Sequence, residues 1–181
     1  MRYIAFLRGI NIGGHIVKMD RLRALFVELG FAQVSTYIQS GNVFFETAQT
    51  DREALAQAIE QHLREALNYD VPVCLLTLDE LEQLLALDPF KEVPVTPDTR
   101  LCLVLTARPI PDGLTLPLFS PKRDVQIVST TARAAFVVWY IINGKPPTAD
   151  SFLEKTLGSK TTSRFFHTAA KILEAAKPQR S

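Results

Sequence analysis

The sequence lacks the cysteine motifs, long apolar runs and net charge that identify several classes of protein. Its two cysteines, Cys74 and Cys102, form neither a C-x-x-C redox pair nor a cysteine zinc cluster. Each lies in a run of Val and Leu, so we expect two reduced, buried thiols. No apolar run approaches the roughly 20 residues that span a bilayer. The formal net charge of +1 provides no long-range attraction to nucleic acids or anionic membranes.

The N-terminus also lacks the pattern of a cleaved signal peptide. Its apolar run is too short, and it ends in Arg8-Gly9 without a small-residue cleavage pattern. We interpret this segment as a β-strand. Hydrophobic residues make up 47% of the chain, which is ordinary for a globular protein and excludes a disordered one. We therefore expect a soluble, cytoplasmic protein with no membrane partner, and nucleic acid is not favoured as a partner.

Signals for metal or catalytic chemistry are sparse. The three histidines, His15, His62 and His167, are dispersed and show no metal-ligand spacing, so no metal is expected. His62 falls on an amphipathic helix and is interpreted as a surface or boundary residue. Ser40 lies in Gln-Ser-Gly-Asn, which lacks the G-x-S-x-G pattern of a nucleophile elbow. His15 is the histidine nearest to the candidate site described below and is therefore the candidate for acid–base chemistry.

The glycine-rich stretch after the first strand does not match the known nucleotide-binding motifs. Gly9 and Gly14 have the separation of a P-loop, but His15-Ile16 stands where Lys-Ser/Thr is required. The G-x-G-x-x-G fingerprint is absent as well, and no cofactor is expected. On the simplest interpretation, the glycines here and in the later Gly41-Asn42 pair only satisfy turn geometry.

Hydrophobic periodicity and turn signals predict the order β-α-β-β-α-β in residues 1–77. This is the split βαβ, or ferredoxin-like, unit. Gly30 is expected to end the first helix, Gly41-Asn42 to form a hairpin, and a capping box at Thr50–Glu53 to open the second helix. The expected strands are Tyr3–Arg8, Val34–Ser40, Val43–Phe45 and Val71–Thr77, and the expected helices carry the apolar positions of Met19–Leu29 and Leu55–Leu67.

Residues 78–181 are expected to form a second, less regular α+β subdomain. The fold predicted for the whole chain is thus α+β, with two ferredoxin-like subdomains and mostly antiparallel sheets. The second is consistent with a degenerate copy of the first, although no self-similarity of sequence demonstrates a repeat. The proline-punctuated stretch Ala107–Arg123 is long enough to suggest a lid or a binding loop.

The second subdomain is expected to contain three helices and three strands. A capping box at Thr77–Glu80 opens the first helix. The next helix runs from Ser151 to a stop at Gly158. The last covers residues 162–176, with Phe165, Ala169, Ile172 and Ala176 facing inwards. The expected strands are Leu101–Leu105, Asp124–Ser129 and Ala135–Ile142.

The predicted strand order places several polar segments together at one edge of the first sheet. The first and second strands end at this edge, and the third strand and the first helix begin there. Glycines let backbone N–H groups approach a ligand, and a helix N-terminus favours anions, so this edge suits a phosphate or carboxylate. The candidate ligand-binding residues are Arg8, Gly9, Asn11, Gly13, Gly14, Lys18, Tyr37, Gln39, Ser40 and Asn42, with Arg164 as a second anion contact.

Several of these motifs resemble a family of small bacterial proteins of unknown function. The resemblance is carried by the segments LRGINIGG at Leu7–Gly14 and TYIQSGNV at Thr36–Val43, and it spans nearly the whole chain. It implies an α+β fold of two ferredoxin-like subdomains, but no activity, substrate or cofactor. The family usually reads Thr-Thr-Arg-Asn-Trp-Asn-Thr before its last helix. This chain has TSRFFHT at Thr162–Thr168, which keeps the arginine as Arg164.

Three functions are compatible with these patterns. The first is a binding module for a small anionic ligand, such as a nucleotide, at the edge formed by the 8–18 loop and the 39–42 hairpin. The second is an RNA-binding protein that stacks bases on Tyr3, Tyr37 and Phe45 across an exposed sheet face. The near-neutral charge and the lack of an RNP1-like pattern oppose it. The third is an enzyme that uses Ser40 or His15. We rank the first above the others.

Overall fold

The computed structural model describes residues 1–178 of the chain. These residues form an α+β structure with two antiparallel sheets, of four and five strands, and five helices, which confirms the predicted fold class. The described residues divide into two compact units, one of Met1–Leu84 with the C-terminal residues from Ile172 to Pro178, and one of Leu85–Lys171. The first unit takes in C-terminal residues that the sequence-based division at Thr77 assigned to the second. No helix in residues 1–178 is long and apolar enough to cross a membrane.

Strands and helices follow one another in chain order. The strands are β1 Arg2–Leu7, β2 Ala32–Thr36, β3 Asn42–Glu46, β4 Val73–Thr77, β5 Thr99–Thr106, β6 Leu118–Phe119, β7 Val125–Thr130, β8 Ala134–Tyr140 and β9 Thr161–Phe165. The helices are α1 Met19–Glu28, α2 Arg52–Leu67, α3 Leu78–Ala86, α4 Asp150–Leu157 and α5 Phe166–Ala176.

The first sheet has the strand order β2-β3-β1-β4, and every neighbouring pair is antiparallel. β1 and β2 are therefore parallel with β3 between them, as predicted for a ferredoxin-like unit. Ile4 in β1 pairs with Phe44 on β3 and with Leu76 on β4. Because of this order, the ends of β1 and β2 meet the start of β3 at one edge of the sheet.

Helices α1 and α2 cover one face of the first sheet. Successive strand residues point to opposite faces, so alternate residues of β1, namely Tyr3, Ala5 and Leu7, join one core cluster. Helix residues at helical spacing complete that cluster, and burying each large apolar side chain contributes about 1.5–3 kcal/mol. The helix residues, all buried, are Leu22, Leu25, Phe26, Leu55, Ile59 and Leu63.

The second sheet repeats the strand order of the first, with a loop in place of one helix. Its order is β6-β7-β8-β5-β9 with antiparallel neighbours, so β7-β8-β5-β9 corresponds to β2-β3-β1-β4. Helix α4 stands between β8 and β9 as α2 stands between β3 and β4. The stretch predicted as a loop, residues 107–123, includes the unpredicted two-residue strand β6, which pairs with β7. It also contributes Ile110, Leu114 and Leu116 to the core beneath Leu153 and Leu157 of α4. A role of this loop as a lid or binding loop stays a prediction.

Strand boundaries in the first unit differ from the expectations by one to four residues, and the largest difference, together with the cap of α2, has a clear physical reason. β2 ends at Thr36 rather than Ser40, because Ile38 has a left-handed backbone with a φ of 51° that interrupts the extended strand. The residue that caps α2 is Asp51 rather than Thr50. The Asp51 carboxylate accepts a hydrogen bond from the Ala54 N–H at 3.0 Å.

The prediction that the last helix begins near residue 162 was wrong. Thr161–Phe165 is β9, which pairs antiparallel with β5, and α5 begins at Phe166. Pairing with β5 satisfies the backbone of a segment whose two β-branched threonines favour a strand. Phe165, expected to face inwards, is 40% exposed. The other residues predicted to face inwards are buried, namely Ala169, Ile172 and Ala176.

The capping box predicted at Thr77–Glu80 is present and includes a third residue. The Thr77 N–H donates to Glu80 Oε2 at 2.8 Å, and the Glu80 N–H donates to Thr77 Oγ1 at 3.2 Å. Arg52 at the start of α2 donates to Glu80 Oε1 at 2.6 Å. Burial opposes ionisation of the Glu80 carboxyl, but the hydrogen bonds from Thr77 and Arg52 and the Arg52 charge outweigh it. The pKa of Glu80 is therefore lowered.

We expect Glu80→Gln to lower the free energy of unfolding by about 1 kcal/mol at neutral pH, after allowance for solvent screening of a partly exposed group. Because the folded pKa of Glu80 lies below its unfolded value, this contribution is present above the unfolded pKa. It is lost as the pH falls through the folded pKa. Urea unfolding of both proteins at neutral and acidic pH measures the difference, which should vanish in acid. A difference independent of pH, or an equal loss in the exposed-loop control Glu92→Gln, would contradict the assignment.

Candidate functional site

The loop of residues 8–18 and the hairpin of residues 39–42 meet at one edge of the first sheet, which we call the loop–hairpin edge. The Leu7 N–H donates to the Gly41 carbonyl at 2.8 Å, beyond the last paired residues of β1 and β3. The Arg8 N–H donates to the Pro72 carbonyl at 3.0 Å, so the start of β4 also reaches this edge. The two segments that the predicted topology placed together are therefore in contact.

Asn11 is the residue that fixes the loop in place. Its backbone is left-handed, with a φ of 59°. Its side-chain Nδ2 donates to the Gln39 carbonyl at 2.8 Å, and its Oδ1 accepts from the Val17 N–H at 2.7 Å. One amide thus joins the loop to the hairpin on one side and to the residue before the α1 cap on the other.

The hairpin depends on the pair Gly41 and Asn42. Gly41 has a φ of 77°, and a Cβ at this position would lie 3.0 Å from Leu7 Cβ and 3.2 Å from Ile10 Cβ. Asn42 is fully buried, and its Nδ2 donates to the Tyr37 carbonyl at 3.1 Å and to Ser40 Oγ at 2.9 Å. The Gly-Asn sequence is therefore required by the internal structure of the hairpin, and Asn42 acts there rather than at the surface.

The backbone of the loop is open towards solvent. Gly9, Gly13 and Gly14 have φ values of 80°, 63° and 87°, and a Cβ at any of them would meet nothing within 4 Å. Gly13 and Gly14 are exposed. Their positive φ explains why glycine occurs there, and the empty space in front of them leaves room for a ligand to approach the backbone.

Two basic residues, Lys18 and Arg23, lie at the start of α1, and a third, Arg8, begins the loop that leads to it. Lys18 is the exposed N-cap residue of α1, and no side chain caps this end of the helix. Arg8 is half-buried at the base of the loop. Arg23 pairs with Asp20 in the first turn, and its Nη1 donates to Thr36 Oγ1 at 2.6 Å, which ties α1 to the end of β2. The Lys18 ammonium lies beside an end of the helix whose partial charge is positive.

The proposed acid–base residue, His15, lies against an aromatic ring that the sequence reasoning missed. The rings of His15 and Tyr69 stack with centroids 3.9 Å apart. Burial raises the pKa of Tyr69, and its buried hydroxyl has no hydrogen-bond partner among the residues that the structure describes. Tyr69 follows α2, just before β4, and β4 begins at the same edge where β1 ends. The strand order was the signal that could have identified it.

The two residues of the enzyme hypothesis have different neighbours. The Ser40 hydroxyl accepts a hydrogen bond from Asn42, whereas the His15 ring packs on Tyr69. A catalytic role of Ser40 or His15 stays a prediction. Across residues 1–178, no group of three or more His, Cys, Asp or Glu side chains could hold a metal ion.

The structure corrects the hypothesis of an RNA-binding sheet face. Tyr3 and Phe45 are 2% and 0% exposed, because both point into the core beneath α1 and α2. Tyr37 is half-buried beside the hairpin. Base stacking needs exposed aromatic faces, so the proposed platform does not exist on this sheet.

Three isoleucines at the loop–hairpin edge are exposed, and the sequence reasoning did not single them out. Ile12 is 63% exposed, Ile16 is 86% exposed and Ile38 is 46% exposed. Ile12 and Ile38 are the chain neighbours of Asn11 and Gln39, which are hydrogen-bonded to each other. The edge therefore presents apolar side chains next to the open backbone of the loop.

Arg164 belongs to the second unit, where it lies on β9. Its Nη1 donates to Thr162 Oγ1 at 3.0 Å and to the Ser163 carbonyl at 2.9 Å. These bonds hold the guanidinium along its own strand. A contribution of Arg164 to anion binding stays a prediction.

Comparisons with known proteins give a family but no activity. A family model described as "Protein of unknown function (DUF1697)" matches residues 1–136. Among solved structures, the conserved bacterial protein SP0830 from Streptococcus pneumoniae is similar, with a TM-score of 0.63 and 22% identity over 97% of this chain and 98% of that chain. At this identity the likeness concerns the fold alone. No curated protein matches the chain.

We expect Gly41→Ala to destabilise the protein by about 2–4 kcal/mol, since it combines a left-handed backbone with overpacking against Leu7 and Ile10. Gly30→Ala is the matched control, because its φ of 83° is similar and a Cβ there meets nothing within 4 Å. It should cost about 1 kcal/mol. Urea unfolding measures both values. Equal losses in the two variants would show that packing at the hairpin is not the reason for glycine at position 41.

Proposed function

We propose that this chain, which belongs to the DUF1697 family of proteins of unknown function, is a binding module for a small anionic ligand. The ligand carries a phosphate or carboxylate, as a nucleotide does, and binds at the loop–hairpin edge. We also propose that the module acts in the cytoplasm. The observation that carries the proposal is the pair of bonds from Asn11 that holds an open glycine-rich backbone against the hairpin and the start of α1.

The loop is pre-organised for binding by the two Asn11 bonds. A loop that must be ordered on binding loses conformational entropy, which weakens the complex. Asn11 Nδ2 and Oδ1 fix the loop to Gln39 and Val17 before any ligand arrives. The backbone N–H groups between these anchors would then meet an anion at little entropic cost.

Positive charge at the loop–hairpin edge would attract the anionic group of the ligand. The start of α1 carries partial positive charge and N–H groups without helical partners, and Lys18 adds a full charge at that position. Arg8 at the base of the loop adds another. A phosphate or carboxylate in front of Gly13 and Gly14 would be attracted by all of these groups.

The hairpin would determine how the bound ligand is oriented. Gln39 and Ser40 are exposed and carry an amide and a hydroxyl, which can bind the part of the ligand next to its anionic group. Tyr37 and Asn42 contribute by shaping the hairpin, because the Asn42 side chain is buried against the Tyr37 carbonyl. The binding role is thereby divided between surface side chains and the residues that support them.

Titration of ¹⁵N-labelled protein with inorganic phosphate, acetate and adenosine monophosphate tests this proposal. We expect saturable changes in the amide signals of residues 9–14 and 39–42. Lys18→Gln should weaken binding by about tenfold through loss of a charge-assisted contact. Asn11→Ala should weaken it further by releasing the loop.

The matched control is Lys122→Gln, which removes an exposed lysine from a loop of the second unit. It should leave the affinity unchanged, because Lys122 belongs to neither the 8–18 loop nor the 39–42 hairpin, and the net charge of the protein changes by the same amount as in Lys18→Gln. Absence of saturable changes with all three probes would refute the proposal. So would equal weakening by Lys18→Gln and Lys122→Gln, which would indicate attraction to net charge rather than to this edge.

A further inference from the structure

A second concave surface lies in the first unit, at the end of the first sheet opposite the loop–hairpin edge. It is a groove of about 550 Å³ beside β2, which we call the β2 groove. Its lining includes Arg2 at the start of β1, Glu46 at the end of β3, and Gln33 and Ser35 on β2. Small-molecule sites in proteins commonly have volumes of about 300–1,000 Å³. The groove has the size of a ligand site, and none of its lining residues belongs to the 8–18 loop or the 39–42 hairpin.

Small side chains and an irregular strand keep the groove open. Ser35 pairs with Phe44 across β2 and β3, so a small side chain stands beside a large ring. The pairing of β2 with β3 shifts between Ala32 and Ser35, where Gln33 has a φ of 51°. On β1, by contrast, Ile4 of the same face is fully buried. This face of the sheet is therefore covered by other residues at β1 and is accessible to solvent beside β2.

Arg2 is held rigidly at one end of the groove. Its Nε donates to the Ala176 carbonyl at 2.8 Å, and its Nη1 bonds to Glu46 Oε1 at 3.1 Å. The Arg2 side chain is 19% exposed. A guanidinium carries five N–H donors, and these two bonds leave donors on Nη2 without a partner among residues 1–178. A fixed, partly desolvated arginine with remaining donors is suited to binding a carboxylate.

The other charged and polar groups that line the β2 groove indicate which chemical class of ligand it can bind. Lys177 also lines the groove, where its ammonium is held by Glu174 at 2.8 Å. The lining thus carries two cations, Arg2 and Lys177, and one anion, Glu46, which already pairs with Arg2. The neutral polar groups are the Gln33 amide and the Ser35 hydroxyl, which bind hydroxyl groups well.

We propose that the β2 groove binds a small hydroxycarboxylate, whose carboxylate pairs with Arg2 and whose hydroxyl bonds to Ser35 or Gln33. The site is separate from the loop–hairpin edge and does not rest on the function proposed for that edge. The irregular pairing at Gln33 interrupts the backbone pattern that an added peptide strand would need. The groove is therefore a site for a small molecule.

Two dicarboxylates that differ by one hydroxyl, L-malate and succinate, test the proposal by titration of ¹⁵N-labelled full-length protein. We expect saturable changes in the amide signals of residues 33–35 and 46, with malate binding at least about threefold more tightly than succinate because of one additional hydrogen bond. Arg2→Gln should weaken malate binding by about tenfold or more. Arg64→Gln, which removes an exposed arginine from α2 in the same unit, should have no effect.

Arg2 also holds α5 to β1, so a second variant separates binding from structure. Ser35→Leu fills the groove and leaves both Arg2 bonds in place, and it should abolish the changes produced by malate. Full binding in Ser35→Leu would overturn the proposal, as would equal affinities for malate and succinate. Signal changes at residues 9–14 instead of 33–35 would assign the binding to the loop–hairpin edge and also overturn it.

Discussion

Strand β1 is hydrogen-bonded along both of its sides, and the rest of the first unit is built around that position. Residues Tyr3 to Leu7 of this central strand are all buried, so both faces of the sheet are covered there, and a strand covered on both faces needs an unbroken run of hydrophobic residues. The chain must leave β1 next to the β2–β3 hairpin, where Gly41 accepts the Leu7 N–H. A side chain on Gly41 would collide with β1 itself. The composition of the loop and of the hairpin follows from where β1 ends.

Much of this arrangement could be predicted from the sequence because its signals are local. Apolar positions at helical spacing located α1 and α2, and the reciprocal side chains of Thr77 and Glu80 located the start of α3. The prediction of secondary structure was wrong where pairing with a strand far away in the sequence determines the conformation. Thr161–Phe165 has polar residues that could cap a helix, yet pairing with β5 makes it a strand. Ile38 ended β2 early through a backbone conformation that β-branched residues rarely adopt.

The sequence could predict those parts of the candidate site that the strand order alone brings together. The order placed the 8–18 loop beside the 39–42 hairpin, and the bond between Asn11 and Gln39 joins them. Finer features were beyond a single sequence. The stacking of His15 on Tyr69 depends on how two loops face each other. The β2 groove depends on the small size of Ser35 and on the approach of Ala176, residues more than a hundred positions apart.

The second unit has the same strand order as the first, but a different kind of segment packs against one side of its sheet. Where the first unit uses α1, the second uses the stretch 107–123, anchored by Ile110, Leu114 and Leu116. A helix satisfies its own backbone and must keep its length and periodicity, whereas a stretch held by separate side-chain anchors can be lengthened or shortened between them. The two units therefore differ in where their chain can change length. Insertions between the anchors of residues 107–123 would leave the strand order of the second unit intact, whereas an insertion within α1 would rotate its apolar face away from the first sheet.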